Sequence, residues 1–145
     1  MKSHHLALLL GAGSAFLLYR ALSLLLIDDA LTVLAIWALA LLLVEIVLDF
    51  ACLMRSLRWL TSGDMVHARP ALRLAVAVIL VHAVRVAIYV LGRTGPWHNF
   101  DVRPEQRATY TYDPFWVWVA ATLSAMSVLA MLIFWAYRRS GSGRN

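Results

Sequence analysis

The chain of 145 residues holds a single cysteine, Cys52. One thiol cannot close an internal disulfide or build a multi-cysteine metal site, so neither framework is available. Charge is scarce as well. Asp, Glu, Lys and Arg make up 14% of the residues, where soluble domains carry about a quarter. A glycine-rich nucleotide loop, a zinc-ligand spacing and a nucleophile elbow are all missing, which favours a non-catalytic protein. Nucleic acid is an unsuitable partner despite the formal charge of +5. The basic residues lie beside apolar stretches rather than on a soluble face, a pattern that suits retention in a membrane.

What the chain has is hydrocarbon: 62% of its residues are hydrophobic. Four segments, about 5–27, 30–54, 70–92 and 114–137, reach the ~20 apolar residues that cross a bilayer. The expected fold is all-α: one polytopic integral membrane domain over 1–145, with four transmembrane helices in an up-down bundle. Asp28 and Asp29 separate the first two spans, and Asp29 can cap the second. "TSGDMVHARP" (61–70) reads as a turn, with Pro70 opening the third helix. Gly92, Gly95 and Pro96 end that helix, and Pro114 opens the fourth. The first span is kept as a true span. Too few apolar residues precede its small-residue stretch "GAGSA" (11–15) for the core of a signal peptide.

Lys2, Arg55, Arg58, Arg69, Arg73, Arg138, Arg139 and Arg144 fall on one side of this threading. The other side has Arg93, Arg103 and Arg107, diluted by Asp28, Asp29, Asp101, Glu105 and Asp113. The positive-inside bias then places both termini in the cytoplasm, in a cell inner membrane. Trp59, Trp135 and Tyr137 form one expected aromatic belt. Trp97, Tyr112, Phe115, Trp116 and Trp118 form the other.

The outer connection, 93–113, is the one sizeable soluble piece. "TYTY" (109–112) alternates like a short strand. A loop this long is commonly a docking surface, and Trp97, Phe100, Tyr110 and Tyr112 are its candidate anchors. The tail "RRSGSGRN" reads as a flexible end.

Ionisable groups inside spans need partners and are the default candidates for function. Here they are Arg20, Glu45, Asp49, His82 and Arg85. Two cations and a histidine face two anions, so mutual pairing is expected. On the third span His82, Arg85 and Tyr89 share a face; on the second, Trp37, Leu41, Glu45 and Asp49 step by four. With the second helix counted from residue 30, Glu45 lies about 22 Å deep, His82 about 15 Å, and Arg20 and Arg85 about 10 Å. Side chains lean toward their helix N-termini, which brings Arg20, His82 and Arg85 toward Glu45. Asp49, near the inner surface, is expected to meet Arg55 or Arg73. Small-xxx-small pairs, Gly11 with Ala15 and Ala120 with Ser124, permit close helix approach.

The leading expectation is an auxiliary or anchoring subunit of a larger energy-converting or transport complex. It needs no cofactor, and its partners are the bilayer and other membrane subunits or itself. One alternative is a small homo-oligomeric transporter or channel using Glu45 and Arg85. Another is a membrane enzyme with a quinone near His82, or with a haem shared with a partner there.

Overall fold

The structure, a computed structural model, describes residues 3–26, 29–64, 66–112 and 114–141, without the side chains of 139–141. Lys2, Asp28, Asp113, Arg144, the side chain of Arg139 and the last four residues of the tail lie outside this description. The elements are α1 (Ser3–Leu26), α2 (Ala30–Val33), α3 (Ile36–Ser62), α4 (Ala68–Thr94), a 3-10 turn (Pro104–Gln106) and α5 (Phe115–Gly141). Four of them, α1, α3, α4 and α5, are long and apolar enough to cross a membrane.

These four pack in a ring, with α1 and α4 each lying against both α3 and α5. Between α1 and α3 the paired residues count up one helix and down the other. Ser3 Oγ accepts from the Trp59 indole at 3.1 Å, a Cβ on Gly11 would sit 3.6 Å from Ser56, and Ser14 donates to Cys52. Buried positions recur in alternating steps of three and four. On α3 they are Ala38, Leu42, Glu45, Asp49, Cys52, Ser56 and Trp59. On α4 the seam runs from Ala68 through Ala71, Ala75, Val78, His82, Arg85 and Tyr89 to Gly92. That spacing is the heptad of left-handed helix packing. Small residues occupy much of it, because lipid offers no hydrophobic incentive and close backbone approach must hold the helices.

The small-residue pairs are placed differently from expectation. On α1 the buried seam is Ala7, Gly11 and Ser14, while Ala15 lies at its edge. On α5, Ala120, Ser124 and Ser127 are exposed, and both serines bond carbonyls one turn back. Trp59 is buried in the core instead of standing in a belt.

The second span departs most from the sequence reading. Instead of one helix from residue 30, α2 makes a single turn, Leu34 and Ala35 are extended, and α3 starts at Ile36. Asp29 caps α2 through its carbonyl, which takes the Thr32 and Val33 amides; its side chain makes no cap bond. The break is held by the loop between α4 and α5. Ala35 N–H donates to the Asp101 carbonyl, Arg103 N–H to that of Val33, and Leu34 pairs with Val102 as an isolated bridge. These backbone groups are satisfied across to the loop instead of along a helix.

The same loop overturns the strand expected at 109–112. Among the described residues no strand forms there. The Tyr110 carbonyl is taken by the Asn99 side chain, which also donates to the Arg107 carbonyl. Arg103 donates to the carbonyls of Leu31 and Leu34, and Arg107 to those of Phe100 and Val102. The loop is a plug stapled by its own arginines. Gly92 lets it close on α4, since a Cβ there would stand 3.0 Å from the Asp101 carboxylate.

Candidate functional site

The late start of α3 resets the depth of its acids. Glu45 stands nine residues from the first residue of α3, and Arg85 nine from the last of α4; both are therefore about 13–14 Å from that end. Asp49 and His82 match one turn further in, at about 18–20 Å. Counting from residue 30 had put Glu45 too deep by more than a turn.

Level acids and bases pair across the α3–α4 interface. Arg85 Nε donates to Glu45 at 3.0 Å, and its Nη2 to the Ala38 carbonyl at 3.2 Å. His82 Nε2 lies 3.0 and 3.1 Å from the two Asp49 oxygens. All four side chains are almost wholly shielded, with Asp49 at 0% exposure. Two expected pairings therefore change. Asp49 meets His82 rather than Arg55 or Arg73, and Glu45 is bonded by Arg85 alone among the cations expected to converge on it.

Arg20 is placed apart. Its guanidinium donates to the Tyr112 hydroxyl at 3.3 Å and lies 4.3 Å from the centre of the Trp118 ring. Among the described residues no carboxylate pairs with it. Cation–π contact in a desolvated setting, worth up to about 2 kcal/mol, replaces the ion pair expected with Glu45. The same motif recurs at this end of the bundle. Arg93 lies 5.0 Å from the ring centres of both Tyr89 and Tyr110, and it clamps Asp101, with Nη2 donating at 3.1 Å.

Arg20, Glu45, His82, Arg85 and Tyr89 line one internal cavity, with Val119 and Thr122 of α5 closing it. Its volume is about 20 Å³, room for a single water. Two donors, Arg85 Nη1 and the Tyr89 hydroxyl, have no hydrogen-bond partner among the described residues. Small-molecule pockets run to roughly 300–1,000 Å³, so neither a quinone ring nor a haem fits without parting the helices. Among the described residues, no three His, Cys, Asp or Glu side chains are grouped to hold a metal ion.

The four expected outer-loop anchors separate into two pairs. Trp97 is exposed and meets Phe100 edge-on with ring centres 5.8 Å apart, while Phe100 stacks on Trp37 at 5.6 Å. Tyr110 and Tyr112 instead turn toward Arg93, and toward Arg20 and Tyr89. The sequence reading missed three participants here: Trp118, Thr122 and the Ala38 carbonyl. A lone threonine in the apolar fourth span was the one signal for Thr122; a backbone carbonyl gives none. No protein-family model matches this chain, nor does any curated protein or solved structure.

Proposed function

We propose that the chain is a non-catalytic auxiliary or anchoring subunit of a larger membrane assembly. Its four long helices thread the inner membrane up and down, with both termini and the 55–73 connection cytoplasmic. The observation carrying this reading is the closure of the buried charges: each carboxylate of α3 has a basic partner on α4 of the same chain. Groups already bonded to each other serve to fix helix register, and their cavity admits no substrate larger than water. Docking falls to the Trp97–Phe100–Trp37 cluster, where exposed aromatics suit interface anchors. Ile36 extends that patch at 82% exposure.

Copurification from native membranes tests the proposal. Trp97→Ala with Trp37→Ala should release partner subunits while the isolated chain keeps its helical content. Unchanged recovery of the assembly would remove the cluster from its interface. Recovery of this chain alone, whatever the variant, would reject the subunit role.

A second reading, a small homo-oligomeric transporter or channel working through Glu45 and Arg85, is favoured by the two unpartnered donors beside the cavity. Under that reading the cavity is one station of a longer path.

A further inference from the structure

Between α4 and α5, away from the charge layer, lies an apolar groove of about 350 Å³. Val76, Ile79 and Leu80 form one wall; Ala130, Ile133 and Phe134 form the other, and Tyr137 stands at its end. On α4, Arg69, Arg73, Val76 and Leu80 follow one another at steps of four, three and four, so the arginines continue the groove-lining face beyond its end. On α5, Arg138 continues the line of Phe134 one turn on. Both Arg73 and Arg138 are exposed, and among the described residues neither has an ion-pair partner. Asp64 is the sole acid described near this end, and it bonds its own turn at Val66.

We infer that this groove is a binding site for an anionic phospholipid: one acyl chain lies between α4 and α5, and the phosphate sits against Arg73 and Arg138. The lining is apolar along the bilayer interior and cationic only where headgroups begin, which is the layout of one lipid molecule. Basic pockets between spans recognise anionic headgroups in this way. A second copy of the chain suits the groove poorly, because it would bring Arg73 and Arg138 against like charges. The inference rests on the four long helices crossing a bilayer; it does not depend on the subunit role.

The test is native mass spectrometry of the full chain in uncharged detergent, titrated with palmitoyl-oleoyl phosphatidylglycerol or phosphatidylcholine. The wild type should retain the glycerol lipid by about thirtyfold over the choline lipid, the scale expected of two arginines beside a headgroup of net negative charge. Arg73→Gln with Arg138→Gln should abolish that preference. Arg55→Gln with Arg58→Gln, exposed arginines of α3 at the same end, should leave it intact. Ala130→Trp, which fills the groove from an exposed position, should lower retention of both lipids; Leu80→Trp replaces it if that variant does not fold. Equal retention of the two lipids by the wild type, equal loss in the Arg55/Arg58 control, or no effect of filling the groove would each overturn the inference. So would two-copy complexes that vanish when the groove is filled, since the occupant would then be a second chain. Carbonate extraction of membranes checks the spanning separately: a chain released by it does not cross the bilayer at all.

Discussion

Glu45 and Arg85 bond directly, and so do Asp49 and His82. Removing one member leaves the other buried and unpaired. Glu45→Gln should therefore cost more than the ~0.6 kcal/mol average for membrane hydrogen bonds. It should cost less than the ~3–5 kcal/mol of a broken pair in a soluble interior. Unfolding titrations of Glu45→Gln, Arg85→Gln and the double variant should give a double-mutant cycle with clear positive coupling. The crossed cycle, Asp49→Asn with Arg85→Gln, should be near additive; equal coupling in both would mean the pairs are not discrete. The sequence revealed these residues because charge is rare in apolar spans, but it did not reveal their partners. Partner choice depends on helix register, and six residues of non-helical or single-turn chain before Ile36 bring every acid of α3 closer to the start of its helix by more than a turn.

At the scale of elements, the helices were legible and their faces were not. In a soluble bundle apolar residues mark the inward face; here both faces are apolar, and Leu43, Val47 and Phe50 on α3 are exposed. The informative residues were the small and polar ones, Ala38, Cys52 and Ser56 on α3 and Ala68, Ala71 and Ala75 on α4, repeating at heptad steps. The plug between α4 and α5 was hidden for another reason: its bonds run from side chains to backbone and from backbone to distant backbone, which no periodicity records. Asn99 is its clasp, buried at φ 49° and donating to two carbonyls eight and eleven residues on. Asn99→Ala loses both bonds in a left-handed conformation that alanine disfavours. Hydrogen exchange should then accelerate through 97–112 while α3 and α4 stay protected. Uniform protection would show that the arginine staples suffice. Gly63 ends α3 at φ 67°, 3.2 Å from His4 for an added Cβ. Gly63→Ala should cost about 1–2 kcal/mol in the same unfolding assay, and a neutral change would mean the turn relaxes freely.

For the molecule as a whole, four candidate spans were evident from length and apolarity, whereas the proposed partners leave no trace in a chain without motifs. Threading can be measured directly. In a Cys52→Ala background, a cysteine at Ala108, exposed in the outer loop, should react with an impermeant reagent in intact cells, and one at Ser62 should not. The reverse pattern would invert the topology. Asn99 is unsuitable for labelling because it is buried. Above all, the interior charges are taken to hold the bundle and to carry nothing through it. Proton flux into sealed liposomes containing the purified chain, driven by an imposed membrane potential, tests that claim. Internally closed pairs predict flux equal to that of protein-free vesicles, in the wild type and in Glu45→Gln alike. Flux above that background that disappears in Glu45→Gln would contradict it and make the Glu45–Arg85 layer a conduction path.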